Sequence, residues 1–166
     1  MVEAIDIRQT DAQGTISFID KPVQGNEYSL AKYITIPSEK VTIGSGKTET
    51  VFIHVENRQD LSPGGHYAAI LFKAIPKNTE DQQQIVPALS SFLLVKKQGG
   101  ERFNLSLLKT TLVHSIEFML PTKGTLEFAN EGNVHLIPRG TVSVHDLFGR
   151  SVLEATINEN SSYVLP

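Results

Sequence analysis

The sequence predicts an all-β protein built from β-sandwiches, and three observations lead to that fold class. Most segments alternate between apolar and polar residues with a period of two, and none shows a helical stripe. Turn residues, chiefly Gly, Pro, Asn and Asp, separate these segments. Residues 67–72 are almost wholly apolar, which is typical of a central strand buried on both faces. Short strands at this spacing favour a sandwich or a barrel.

The alternating segments give the predicted strands. They are 2–8, 15–20, 31–36, 41–43, 48–56, 66–75, 85–96, 102–108, 116–120, 124–130, 134–138, 141–146 and 152–158. Pro87 lies inside one of them. Because proline cannot donate to a ladder, we expect an edge strand or a bulge there.

The most informative turn is the run Pro63-Gly64-Gly65-His66-Tyr67. Pro63 fixes φ and lacks an amide donor, and the two glycines permit a positive φ. We therefore expect the chain to turn sharply here and to enter the buried strand at His66.

The best domain boundary is Gln98-Gly-Gly-Glu101, which separates a buried-looking run from a new alternating segment. It predicts two domains, residues 1–98 and 99–166. The second domain is short, because an independent sandwich of this kind normally takes about 100 residues. We expect the first domain to lack its opening strands and the second to be truncated at its C-terminus.

Two groups of residues resemble a known family. The first comprises Tyr28-Ser-Leu-Ala-Lys-Tyr-Ile34, Ile43-Gly-Ser-Gly, the segment 50–56 and Ser62-Pro-Gly-Gly-His-Tyr-Ala-Ala-Ile70. The second comprises Phe128-Ala-Asn-Glu-Gly-Asn-Val-His-Leu-Ile-Pro-Arg-Gly140, Val144-His-Asp-Leu-Phe-Gly149 and Val164-Leu-Pro166. Together they resemble exported bacterial surface proteins with tandem immunoglobulin-like domains. The pattern is similar to the domain of unknown function in WxL-interacting cell-surface proteins, and the first half also looks like the N-terminal sandwich of pilus chaperones.

This resemblance implies two immunoglobulin-like domains in an extracellular or cell-surface location. It also implies a longer parent protein with a signal peptide and a membrane anchor, neither of which is present in these residues. The residues that would form the shared structural motif are Pro63, Gly64, Gly65, His66, Tyr67, Asn130, Gly132, Asn133, His135, Gly140 and Gly149.

Composition excludes several classes of function. The net charge is −3 and the basic residues are scattered, so we do not expect nucleic-acid binding. The chain has no cysteine, which rules out disulfides, thiolate metal sites and a cysteine nucleophile. No apolar run approaches the ~20 residues of a membrane span.

Several motifs resemble phosphate-binding, metal-binding or catalytic sites, but their residue spacing does not match those sites. Gly44-Ser-Gly-Lys-Thr48 imitates a phosphate-binding loop, but it lacks the first glycine and precedes a predicted strand instead of a helix. The histidines lack metal-ligand spacing; they are His54, His66, His114, His135 and His145. No Gly-x-Ser-x-Gly elbow is present. We therefore predict no catalytic residue, cofactor or metal.

The sequence favours a non-catalytic structural or interaction module. Strand edges and loops would bind a protein partner or a second copy of the chain. The alternative is a carbohydrate-binding module, because strict alternation places the aromatic rings of Phe52 and Tyr33 outward. A subunit-binding role like that of pilus chaperones and an enzymatic role are weaker alternatives.

Overall fold

A computed structural model describes residues 1–11, 13–19, 25–75, 87–114 and 121–166. These residues form antiparallel sheets and no α-helix, which confirms the predicted all-β class. The strands are β1 Val2–Gln9, β2 Ile16–Ile19, β3 Ile34–Thr35, β4 His54–Val55, β5 Gly64–Lys73, β6 Ala88–Lys97, β7 Leu105–His114, β8 Pro121–Asn130, β9 Gly140–His145 and β10 Ser151–Ile157. The predicted strand at 116–120 lies outside the described residues.

The chain divides into two compact units. Unit 1 comprises Met1–Arg8 and Ile16–Gly100, and unit 2 comprises Gln9–Thr15 and Glu101–Pro166.

Unit 1 is organised around a four-stranded sheet with the order β2-β1-β5-β6. The inner strand β5 pairs antiparallel with β1 and β6, as the apolar run predicts. Its residues 64–71 are all buried, but Phe72, the last residue of that run, is exposed. β6 is an edge strand that begins directly after Pro87, as that proline predicts. The buried apolar residues of this unit are Val2, Ile7, Leu30, Tyr33, Leu61, Tyr67, Ala68, Ala69, Ile70 and Leu71.

Three predicted strands of unit 1 are largely wrong. Residues 31–36 form a 3₁₀-helix, Ala31–Tyr33, followed by the two-residue strand β3. Residues 41–43 form no strand, and the segment 48–56 contributes only His54–Val55, paired with β3. Alternation indicates only that a segment suits a pleated surface. A ladder also needs a neighbouring strand, and among the described residues nothing pairs with 48–53.

Unit 2 contains two antiparallel hairpins, β7–β8 and β9–β10. Apolar side chains from both hairpins line an open groove of about 340 Å³, including Leu112, Leu126, Val144, Leu153 and Ile157. The predicted strand at 134–138 is wrong, because it forms only an isolated bridge between Leu136 and Val164.

Candidate functional site

The Pro63–Tyr67 motif starts the inner strand of unit 1. Gly64 has a φ of 127°, a left-handed value that favours glycine, and Gly65 is buried opposite Lys96 in the ladder. His66 is only 2% exposed, and its Nε2 donates to the carbonyl oxygen of Ser62 at 2.8 Å. The motif therefore closes its own turn and fixes where β5 begins.

The turn before this motif is tied to the end of β6. Nζ of Lys97 donates to the carbonyl oxygens of Arg58 (2.8 Å) and Leu61 (2.6 Å). Lys97 also lies opposite Gly64 in the β5–β6 ladder. The last residue of β6 is thus held by its side chain and by its backbone, which fixes the register of the whole edge strand.

β6 is a ten-residue strand at one edge of the sheet of unit 1, and its first five residues are exposed. Residues 88–95 contain no charge, proline or glycine, and Leu89 and Phe92 are 76% and 49% exposed. β5 occupies one side of the strand, and no other described strand pairs with it. In an antiparallel strand, alternate amides and carbonyls point to each side. This edge therefore offers backbone donors and acceptors to an added strand.

A buried carboxylate, absent from the sequence-based site residues, organises the opposite side of β5. Asp6 Oδ1 accepts hydrogen bonds from the backbone amides of Leu30 (2.9 Å) and Ala31 (2.8 Å), and Oδ2 accepts one from Ser29 Oγ (2.6 Å). The only sequence signal was an acidic residue between two isoleucines of an alternating strand. Asp6 holds the segment before the 3₁₀-helix against β1.

Asp6 and His66 line a pocket of about 640 Å³. The carboxylate is fully engaged in hydrogen bonds, and Nε2 of the imidazole is engaged with Ser62. Nδ1 of His66 is buried and has no hydrogen-bond partner among the described residues. The hydrogen bonds of Asp6 and of His66 Nε2 therefore hold the backbone around the pocket.

The two aromatic residues expected to face outward behave differently. Phe52 is 77% exposed, but Tyr33 is only 3% exposed, so the expectation for Tyr33 is wrong. Its hydroxyl donates to the carbonyl oxygen of Asp60 at 3.0 Å, and Nζ of Lys32 lies 4.7 Å from its ring centre. The 3₁₀-helix turns the ring inward, against the direction that strand alternation predicts.

The Asn130–His135 motif of unit 2 forms a network of hydrogen bonds between side chains and backbone groups. Asn130 Nδ2 donates to the carbonyl oxygens of Val134 (2.7 Å) and Val164 (3.0 Å), and its Oδ1 accepts from the amide of Gly132 (3.0 Å). Asn133 Oδ1 accepts from the amide of Arg102 at 2.7 Å. These hydrogen bonds connect Arg102 and Val164, near the two ends of the segment 101–166, to the end of β8 and the turn that follows it.

The other motif residues of unit 2 are His135, Gly140 and Gly149. The ring of His135 packs edge-on against Tyr163, with centres 5.4 Å apart. Gly140 begins β9, and a Cβ there would lie 3.4 Å from Cδ1 of Ile157. Gly149 has a φ of 78° in the turn between β9 and β10. The residues of the two motifs thus lie in turns and at strand ends.

The histidines differ in exposure, and the Gly44–Thr48 segment forms a turn. His66 is buried, whereas His54 and His145 are exposed on β4 and β9. Among the described residues no group of three or more His, Asp or Glu side chains is arranged to hold a metal ion. The amide of Lys47 donates to the carbonyl oxygen of Gly44 at 3.0 Å in a simple turn, and no helix follows it.

Comparisons with protein-family models, curated proteins and solved structures match nothing to this chain. Within the described part of the chain, no helix has the length and apolar character needed to span a membrane.

Proposed function

We propose that this chain is a non-catalytic interaction module of an exported bacterial surface protein, and that it binds a protein partner along the outer edge of β6. The observation that supports this most directly is the ten-residue edge strand with exposed Leu89 and Phe92. A partner segment that adds as a strand gains backbone hydrogen bonds along the ladder. Successive side chains of the added strand point to opposite faces of the sheet, and the contacts that they make there provide specificity.

The rigidity of β6 supports the same function. Its ladder with β5 runs from Gly64–Lys97 to Lys73–Ala88 without a register shift. Lys97 anchors one end through the carbonyl oxygens of Arg58 and Leu61. An edge held in its bound conformation loses little conformational entropy when a partner adds to it.

Strand addition to β6 can be tested without knowing the natural partner, by using a library of random nine-residue peptides displayed on phage. Peptides selected on the immobilised chain are expected to alternate apolar and polar residues and to lose binding to Ser91→Lys, because a charge within the edge opposes strand addition. Phe52→Lys is the matched control, since Phe52 is exposed in the same unit but lies outside β6. Equal binding to the wild-type chain and to Ser91→Lys would contradict the proposal.

The exposed ring of Phe52 favours carbohydrate binding as a second candidate. An aromatic face open to solvent can stack on a sugar ring. A glycan array that gives signals with the wild-type chain and with Ser91→Lys, but not with Phe52→Lys, would support this candidate over strand addition.

A further inference from the structure

We propose that β6 also pairs with β6 of a second copy in antiparallel orientation, which would join two four-stranded sheets into one continuous sheet. This inference rests on the proposed function, because it requires the same edge to accept a strand. It goes further by naming the strand that the edge accepts and the orientation of the pair.

The first argument is the absence of protective devices along the centre of the edge. Natural edge strands discourage pairing with charges, prolines or bulges. Pro87 precedes β6, and Lys96 and Lys97 end it, but residues 88–95 contain no charge or proline. The β5–β6 register is continuous, so no bulge twists this edge away. Eight residues are enough to form a full ladder with an equal partner.

The second argument is the placement of charge, which selects the orientation. Parallel pairing in register would set Lys96 beside Lys96 and Lys97 beside Lys97 of the partner copy. Like charges directly opposite each other destabilise a strand pair. Antiparallel pairing instead sets the two lysines opposite the uncharged beginning of the other strand, near Ala88. Only the antiparallel pair is therefore free of charge repulsion.

The third argument is the covering of exposed apolar side chains. A two-fold axis at Phe92 sets this residue opposite its own copy and Leu89 opposite Val95. Leu89 and Phe92, 76% and 49% exposed, then gain apolar neighbours across the pair. The axis is perpendicular to the sheet, so each face continues across the interface.

One strand per copy buries less than the ~800 Å² per partner of a standard interface, so we expect a reversible dimer with a Kd of about 1–100 µM.

The absence of cysteine permits a direct test, because one introduced cysteine can cross-link only to another copy. Single-cysteine variants Leu89→Cys, Ser90→Cys, Phe92→Cys, Leu94→Cys and Val95→Cys are oxidised in a glutathione buffer, and the disulfide-linked fraction is measured. Cross-linking is expected to peak at Phe92→Cys and to fall several-fold towards both ends, because a disulfide needs Cα atoms within about 7 Å. Mixing Leu89→Cys with Val95→Cys should yield more linked dimer than either variant alone.

Two results would overturn the self-pairing proposal. One is equal cross-linking at every position, which indicates parallel pairing or random collision. The other is a wild-type chain that sediments as a monomer up to ~500 µM, well above the expected Kd. If the chain is a monomer but library peptides still depend on Ser91, only self-pairing fails and the interaction edge remains. Melting temperatures of the reduced variants control for misfolding.

Discussion

The hydroxyl of Ser29 donates a hydrogen bond of 2.6 Å to the buried carboxylate of Asp6, a residue 23 positions earlier in the chain. With the amides of Leu30 and Ala31, it gives this carboxylate three donors. Asp6 thereby connects β1 to the segment leading to the 3₁₀-helix, beside the bridge that Ser29 forms with Tyr67 of β5.

Asp6→Ala is expected to destabilise unit 1 by about 3 kcal/mol, because it leaves a buried amide, a part-buried amide and a buried hydroxyl without their acceptor. Urea denaturation followed by circular dichroism measures the loss. Asp6→Asn is the matched control and should cost less, since its Oδ1 can still accept from Leu30 and Ala31. A cost below about 1 kcal/mol for the alanine variant would show that the segment is held by other contacts.

Gly132→Ala is expected to destabilise unit 2 by about 3 kcal/mol through a steric clash. A Cβ at this position would lie 2.2 Å from the carbonyl oxygen of Arg102, which is backbone and cannot rotate away. Gly124→Ala is the control, because its Cβ meets only the end of the Leu112 side chain, at 3.4 Å. Chemical denaturation should separate the two variants. Equal stabilities would contradict the close approach of the two segments.

The sequence contained enough information to predict the β5 strand and its turn. A run of apolar residues has only one favourable place in a sheet, between two other strands, and Pro63 with two glycines has few alternatives to a turn. Both signals are local. The inner position of β5 is confirmed, but the strand begins two residues before His66, because Gly64 and Gly65 already pair with Lys97 and Lys96. Asn130 combines a local and a distant contact, because it hydrogen-bonds to the nearby carbonyl oxygen of Val134 and to the distant one of Val164.

Features that depend on distant partners were not predictable in this way. The segment 48–56 alternates regularly between apolar and polar residues, but its pattern carries no information about a neighbouring strand. Asp6 resembled an ordinary outward-facing polar residue, since its three donors come from a distant segment. The edge position of β6 was indicated only by Pro87, and its anchoring by Lys97 had no sequence signal.

The stability of the turn after Asp11 is expected to depend on pH. Hydrogen bonds, first from the side chain of Thr15 and then from backbone amides, hold the pKa of Asp11 below its ordinary value of 3.8. Because the folded-state pKa is lowered, this contribution to stability is complete above the unfolded-state value and is lost as the pH falls through the folded-state value. Asp11→Asn removes the charge while keeping an oxygen that can accept the amides of Gln13 and Thr15.

Thermal melts of the wild-type chain and of Asp11→Asn measure this effect. The difference in melting temperature should be constant from about pH 7 to pH 5 and should shrink below 3.8. Glu159→Gln, a change in an exposed residue of the same unit, controls for the general effect of one lost charge. A difference that persists unchanged at about pH 2 would show that the charge of Asp11 contributes nothing.

The tip of the β9–β10 hairpin presents two apolar side chains to solvent on a well-ordered turn. Asp146 Oδ1 accepts from the amides of Phe148 (2.8 Å) and Arg150 (2.9 Å), while Leu147 and Phe148 are 101% and 86% exposed. Replacing both apolar residues with serine should change the free energy of unfolding by less than about 0.5 kcal/mol, because neither is buried. The solubility limit in ammonium sulfate should rise, since an exposed apolar patch favours association. Val134→Ser, at a buried position, is the control and is expected to lower the free energy of unfolding several-fold more. An equally large loss from the double serine variant would mean that the tip is packed in solution.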